Sequence, residues 1–511
     1  MSKSAPIILN PADTIAILPA GAKAGDDPLG LGAPLASNVF PGHKLARKDH
    51  KKGEEIIKFG EVIGRATQDI AAGDHVHSHN LAFSDHGQDY QVGLDLEKAK
   101  AAIPTMEPRT FMGYRRKNGE VGTRNFLALL ATVNCSATVI KHATQELIAS
   151  GILDEYENVD GIVGLTHSTG CGMSGTKSME VLERVLWGYA THPNVGATVF
   201  VGLGCEMMEM ARMKSRFDAD NGEVMEQFHS LAIQEVGGTR KTIEAIKAKV
   251  RELLPAVNKV KREPCPASEL KIALQCGGSD GFSGITANPA LGKTADMLAG
   301  LGATAILSET PEIYGAEQLL LRRAESKEIA DKLINQIKWW EHYVDVNDGS
   351  LDNNPSPGNK AGGLTTILEK SLGATAKSGS TPLTAVYDYA EKMTKPGFVY
   401  MDTPGYDPAC ATGQIAGGAH MVVFTTGRGS AFGSKPAPTI KVATNDHLFE
   451  SMPDDMDVNC GDVLSKGVSL EEKGAEMLDY IIAVASGEKT KSERLGLGEY
   501  EFVPWQIGAM M

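Results

Sequence analysis

The stretch FLALLATV, residues 126–133, decides the fold. Eight residues without a charge and without polar alternation match a strand buried on both faces, as in a parallel sheet covered by helices. A helix-like segment, Ala137 to Ala149, follows directly, and the pair then repeats. Gly161 to Leu165 precedes a helical pattern from Lys177 to Tyr189. The strand ATVFVGL, residues 197–203, comes next, then Leu231 to Val236 and a helix from Lys241 to Leu254. Strand, glycine turn and helix in this rhythm predict a parallel α/β sheet. Further downstream, strands at Lys271–Gln275, Ala303–Ser308, Phe398–Asp402, Met421–Thr425 and Thr439–Ala443 predict a second one, with a long loop from Asp345 to Gly363.

Toward the N-terminus the pattern changes to short strands and turns. Asp13–Pro19 reads as one strand, Ile56–Ile63 as another broken at Gly60, and His75–Leu81 as a third, with Pro/Gly punctuation between them. The expected fold class is therefore α/β, with a small N-terminal β-rich domain followed by two α/β domains of mostly parallel sheets. The expected boundaries are 1–83 for the β-rich domain, 84–109 for a polar linker, 110–257 for the second domain and 266–511 for the C-terminal domain. A lysine-rich link from Asn258 to Pro266 joins the last two.

Composition agrees. A chain of 511 residues has room for about three domains. With 42% hydrophobic and 22% charged residues it is not a disordered chain. The balance of 50 Lys+Arg against 64 Asp+Glu gives −14, which speaks against a nucleic-acid partner. No run approaches the ~18 apolar residues that a bilayer requires, so no membrane partner is expected. Seven cysteines, an odd number without a dense framework, suit a reducing compartment, and the cytoplasm is the expected location.

Several motifs fail on inspection. Gly292-Lys293-Thr294 lacks the leading glycine of a phosphate loop, because Ala287 stands in that place. Gly170-Cys171-Gly172-Met173-Ser174-Gly175 matches a dinucleotide fingerprint, but Glu206 follows a second glycine turn instead of ending the next strand cleanly.

Others carry chemistry. In a strand His75, His77 and His79 would share one face, about 7 Å apart, and imidazoles so spaced suit iron, zinc or manganese. The bland reading is a polar edge strand. Cys135, Cys171 and Cys205 each follow a predicted strand, as does Cys276, which would set the first three side by side on the carboxyl edge of a sheet. Thiolates there could hold iron or an iron–sulfur cluster; the bland reading is a small apolar residue in a tight turn. His167 lies on the same edge, placed for proton transfer or else a satisfied core histidine. The loops at 277–284, 356–363 and 426–430 gather backbone donors, Lys360 and Arg428, as an oxyanion-rich ligand would need.

Long motifs in order resemble the altronate dehydratase and galactarate dehydratase family of sugar-acid hydro-lyases. They are Pro41-Gly42-His43-Lys44, Asp74-His75-Val76-His77-Ser78-His79-Asn80, Gly119-Glu120-Val121-Gly122-Thr123-Arg124-Asn125 and Gly202-Leu203-Gly204-Cys205-Glu206. Cys276-Gly277-Gly278-Ser279-Asp280, Asn354-Pro355-Ser356-Pro357-Gly358-Asn359-Lys360 and Phe424-Thr425-Thr426-Gly427-Arg428-Gly429 complete the set. The resemblance implies that the N-terminal module is a SAF-type β-clip domain. The histidine run and Glu312 to Gln318 lean to altronate dehydratase, while Pro264 to Leu270 and Asn158 to Gly161 lean to galactarate dehydratase. Thr169 and Phe432 depart from tyrosines in the family pattern.

What the resemblance implies chemically is loss of water from a sugar acid. D-altronate would give 2-dehydro-3-deoxy-D-gluconate, and galactarate, the alternative, 5-dehydro-4-deoxy-D-glucarate. A sulfolactate-type sulfo-lyase and a dinucleotide-binding enzyme are more distant alternatives. His167 is expected as base or acid, and Lys360 as a group that helps the leaving hydroxyl or the enolate. Arg124 and Arg428 are expected on the carboxylate, and Ser279 and Asp280 on the sugar hydroxyls. The implied cofactor is Fe2+, with Mn2+ as substitute, held by His75, His77 and His79 or alternatively by Cys135, Cys171 and Cys205; an iron–sulfur cluster stays open. The partner is a small-molecule sugar acid, and a homo-oligomer is allowed.

Overall fold

Short strands at the N-terminus close into two antiparallel sheets. β1 (Ile15–Ile17), β2 (Lys44–Ala46) and β5 (His75–Val76) form one, and β3 (Glu55–Lys58), β4 (Glu61–Ala66) and β6 (Leu81–Ala82) the other. A computed structural model of the chain describes residues 5–84, 90–208, 211–213, 215 and 228–511. The segment expected as one broken strand, Ile56–Ile63, is instead the β3–β4 hairpin. It reverses at Phe59 and Gly60, both with left-handed φ, of 62° and 80°. The expected strand His75–Leu81 stops after Val76, because Asn80 curls its side chain back. Its Oδ1 accepts from the His77 N–H at 2.9 Å and its Nδ2 donates to the His75 carbonyl at 2.9 Å, fixing a turn.

The expected linker lies partly outside the described residues, at 85–89. Beyond it the chain packs on the C-terminal sheet domain: Gly93 N donates to the Leu321 carbonyl at 3.0 Å, just before α1 (Leu96–Ala101). β7 (Thr110–Arg115) then pairs with β8 (Val121–Gly122) and with β13 (Arg262–Pro266), both antiparallel. The lysine-rich link is thus partly a strand, and the chain enters and leaves the second domain through one small sheet.

β9 (Phe126–Ala131) is buried at all six positions, as FLALLATV requires. It lies between β10 (Gly161–Leu165) and β11 (Val195–Gly202), and β12 (Phe228–Ala232) follows β11, all parallel. The strand expected at Leu231–Val236 begins earlier and ends in a helical turn that Gly237 and Gly238 terminate with positive φ. Helices α2 (Ala137–Ala149), α3 (Thr176–Ala190) and α4 (Thr239–Asn258) cover this sheet.

The C-terminal sheet has seven parallel strands. They are β14 (Lys271–Cys276), β15 (Thr304–Leu307), β16 (Leu383–Tyr387), β17 (Gly397–Met401), β18 (Met421–Thr426), β19 (Thr439–Ala443) and β20 (Val458–Asn459). Their order is β16-β17-β15-β14-β18-β19-β20, so the chain departs from β14 in both directions. A crevice at the carboxyl end of such a strand is where ligands bind in open α/β sheets. The helices are α5 (Ala287–Gly300), α6 (Lys327–Val346), α7 (Pro357–Ala361), α8 (Ile367–Thr375), α9 (Asp407–Ala416) and α10 (Leu470–Ala485). The long loop expected at 345–363 therefore contains a short helix, which Ser356 caps with a reciprocal bond to Asn359. One apolar core runs through both α/β sheets, joining Leu130 and Phe200 to Ala273 and Phe424. α3 crosses α9 so closely that a Cβ on Gly188 would run into the Ala416 carbonyl.

The β-rich module is fixed to the C-terminal sheet domain by a buried ion triad. Glu369, at 1% exposure in α8, receives Lys44 Nζ at 2.8 Å and Lys58 Nζ at 2.7 Å, and also the N–H and hydroxyl of Thr365. Burial works to raise the pKa of this carboxyl, but the two ammonium groups outweigh it and hold it well below the usual range. Removing one member of such a set leaves buried charge uncompensated. Glu369→Gln is expected to lower unfolding free energy by about 3–5 kcal/mol in urea titrations. A folded-state pKa below the ordinary 4.5 stabilises above that pH and loses its contribution as pH falls beneath it. The gap between parent and variant should therefore narrow on acidification; a gap independent of pH would contradict the triad's role.

Candidate active site

Backbone approach brings the loops together before any side chain does. A Cβ on Gly281 or Gly363 would run into the carbonyl of Gly42, so the PGHK motif presses directly on the loop after β14. Gly281 N donates to the Gly362 carbonyl at 2.8 Å, and Arg428 N to the Gly278 carbonyl at 2.9 Å. Asn359 Nδ2 donates to the Ser279 carbonyl at 2.8 Å. Ser279, Lys360 and Arg428 are thereby gathered around one loop. Lys360 is half-buried and Arg428 exposed, and neither side chain has an ion-pair partner among the described residues. The Ser279 hydroxyl is buried without a hydrogen-bond partner.

At the end of β14 the Cys276 sulfur accepts from Lys377 Nζ at 2.9 Å, and Lys377 also lies 3.5 Å from Glu309. Lys370 Nζ meets Glu312 at 2.6 Å and Asn354 Oδ1 at 2.8 Å. Glu309 sits just after β15 with φ of +71°, a costly backbone for a non-glycine residue, and its N–H is held by Thr403 Oγ1 at 2.9 Å. Asp407 opens α9 beside Gly277, where a Cβ would collide with its carboxylate. Burial pushes the Cys276 thiol up, and burial together with Glu312 pushes Glu309 well up and Asp407 to about 7. For Lys377, burial opposes the charge, but Cys276 and Glu309 outweigh it and raise its pKa.

Among the described residues one group has ligand atoms all within 4.8 Å of one another, as a metal ion would need: Cys276, Glu309 and Glu312. The fit has independent support, because Glu312 Oε2 is buried with no partner. The histidine run is used otherwise. His43 and His77 direct Nε2 at the carbonyls of Ala361 (3.2 Å) and Lys360 (2.9 Å), His43 Nδ1 meets His75 Nε2 at 3.0 Å, and the His79 ring lies tilted at 44° to that of His75, 5.5 Å away. His77, with His43, thus docks on α7, and His75 is joined to that contact through His43.

Two expected site residues, Arg124 and His167, are placed elsewhere, and a third, Asp280, stays beside Ser279 with its carboxylate already bonded. Arg124 is buried before β9, bidentate to Glu493 and bonded to the carbonyls of Val484 and Glu488, so its donors are taken. His167 lies inside the second domain, Nε2 on the Ala131 carbonyl at 2.9 Å, its pKa lowered by burial to about 4. Asp280 turns inward to the N–H groups of Phe282 and Ser283 and to Thr444. Phe432 is buried and stacks on Phe424. The dinucleotide fingerprint also fails: Ser174 N donates to the Ala509 carbonyl and Met511 N to the Gly172 carbonyl, so the glycine loop pairs with the chain's own C-terminal segment.

Glu309, Lys370, Lys377 and Asp407 are site residues that sequence reasoning missed. The signal for two of them was available: Ser308-Glu309-Thr310-Pro311-Glu312 and Asp402-Thr403-Pro404 are polar runs directly at strand ends. The lysines carry no such signal, being ordinary helical positions. A cavity of about 840 Å³ lies at the opposite, amino-terminal end of the strands, lined by Arg116, Trp187, His192, Lys271 and others. It contains none of these groups.

Comparison with known proteins follows this geometry. Sequence profiles match in three blocks: the altronate/galactarate dehydratase SAF domain over residues 4–84, the D-galactarate dehydratase/altronate hydrolase second domain over 113–258, and the D-galactarate/altronate dehydratase C-terminal domain over 267–510. Altronate dehydratase of Bacillus subtilis is 38% identical over 91% of both chains. Altronate dehydratase of Escherichia coli is 38% identical over 90% of both. Galactarate dehydratase (L-threo-forming) of Escherichia coli is 37% identical over 96% of this chain and 95% of its own. On profiles and relatives together, the chain belongs to the altronate/galactarate dehydratase family.

Proposed function

We propose that the chain is a hydro-lyase removing water from a sugar acid, with D-altronate as substrate and 2-dehydro-3-deoxy-D-gluconate as product. The observation that carries this reading is the 38% identity to altronate dehydratase along nine-tenths of the chain, with the charged cluster on the carboxyl edge of the large sheet. Galactarate is the second reading, favoured by a relative of nearly equal identity that covers more of the chain.

Abstracting a proton next to a carboxylate creates a dianionic intermediate that needs strong electrostatic support. Four acidic groups, Cys276, Glu309, Glu312 and Asp407, face two lysines, Lys370 and Lys377, which leaves room for a divalent cation. Cys276, Glu309 and Glu312 would hold Fe2+, and a mixed thiolate–carboxylate set suits that ion. Bound there, iron would act as a Lewis acid on the substrate's oxygens.

The chain's own groups have distinct tasks. Asp407, at the start of α9 beside Gly277, accepts the proton from the carbon beside the carboxylate. Arg428 and Lys360 neutralise the carboxylate from the loop rims, and the unpartnered Ser279 hydroxyl binds a sugar hydroxyl. Lys370 and Lys377 keep their charge and stabilise the developing enediolate. His43 and His77 hold α7, and with it Lys360, in register.

Purified protein supplied with iron is expected to release 2-keto acid from D-altronate faster than from galactarate. Formation of 2-keto acid from neither would defeat the proposal, and a reversed preference would select the second reading. Asp407→Asn is expected to lower kcat about a hundredfold to ten-thousandfold with an unchanged unfolding midpoint. A near-parental kcat would remove Asp407 from the role of base.

A further inference from the structure

Seven cysteines divide sharply by exposure. Cys265, Cys276, Cys410 and Cys460 are buried, while Cys135, Cys171 and Cys205 are exposed. These three follow β9, β10 and β11, which are adjacent parallel strands, at the same carboxyl edge of the second domain's sheet. The bland explanation, a small apolar residue filling a tight turn, requires burial and so does not apply. Exposed thiols are liable to oxidation, and surfaces normally avoid them.

The loops that carry them are tied to one another. Asn134 N, next to Cys135, donates to the Thr169 carbonyl at 2.9 Å. Met207 N donates to the Gly170 carbonyl, next to Cys171, at 3.1 Å. Gly170 has φ of +100°, and a Cβ there would run into the Thr132 carbonyl, so the second loop lies directly on the first. Glu206 turns away from solvent: it accepts from Thr132 Oγ1 at 2.7 Å and from the N–H groups of Gly204 and Cys205, fixing the third loop.

We propose that Cys135, Cys171 and Cys205 hold an iron–sulfur cluster with one iron left free of protein thiolate. Soft thiolates select zinc, copper(I) or iron–sulfur clusters. A single tetrahedral ion with 2.3 Å bonds sets its sulfurs about 3.8 Å apart. The three sulfurs here do not all lie within 4.8 Å of one another. A cluster spreads its thiolates wider, because each binds a different iron atom. Each thiol gives its proton to solvent as its sulfur–iron bond forms, and no oxidation of the protein is required. With three thiolates on a four-iron cluster, the fourth iron is open to an oxygen ligand such as a hydroxyl or carboxylate. The site is distinct from the Cys276 group and stands or falls independently of the dehydration reading.

The test uses full-length protein, reconstituted anaerobically with ferric iron, sulfide and a thiol that reduces part of that iron, and then desalted, without substrate. Iron and acid-labile sulfide in comparable amounts are expected, with broad visible absorbance. Cys171→Ser and Cys205→Ser should lose sulfide and absorbance while keeping the parental unfolding midpoint, and Cys276→Ser should retain both. Iron without sulfide in the parent would overturn the proposal. So would equal sulfide in the triple variant Cys135→Ser, Cys171→Ser, Cys205→Ser.

Discussion

A carboxylate buried between two ammonium groups makes this molecule one body. Glu369 takes Lys44 and Lys58 from the β-rich module into the interior of the C-terminal sheet domain, where none of the three meets solvent. Hydrophobic contact alone would let the module slide, since apolar burial is indifferent to direction. Three buried charges with hydrogen bonds admit only one docking. That docking presses Gly42 onto Gly281 and Gly363 and seats the histidine rings on the carbonyls of Lys360 and Ala361. The geometry of the glycine-rich loop after β14 therefore depends on an ion triad outside it.

Within the site the governing constraint is charge in a dry place. Buried carboxyl groups and thiols resist ionisation unless cations answer them. Lys370 and Lys377 answer only part of the acidic set, and the remainder shows as the raised pKa values of Glu309, Asp407 and Cys276 and as the bare Glu312 oxygen. An arrangement so unbalanced has a cost in stability, and a binding site is where such a cost is normally tolerated.

The architecture was legible because its signals are local. FLALLATV reads as a buried strand from its own eight residues, and the glycine turns after each strand mark the carboxyl edge. Ser279, Lys360 and Arg428 were expected from loops whose composition has no structural use, and the structure gathers those loops together. What escaped depends on distant partners. Arg124 reads as a free cation until Glu493, 369 residues later, takes its guanidinium. His75, His77 and His79 are the exception, since the bend after Val76 is made locally by Asn80, whose side chain bonds back three and five residues. Lys377 lies in an unremarkable short helix and becomes a site residue only when its turn meets Cys276, 101 residues upstream.

Pairing across such distances also orders events in time. Gln506 meets Ser168 across 338 residues, beside the glycine loop on which the C-terminal segment lies. At about 5–20 residues per second, ribosomal synthesis separates the two by roughly 20–70 s. The sheet carrying Cys135, Cys171 and Cys205 can form long before the segment that covers its neighbouring loop emerges. The late segment then pairs with Gly172 and Ser174, so the glycine loop takes its final partners only after the strands that carry the thiols are made, while the three thiols themselves stay exposed.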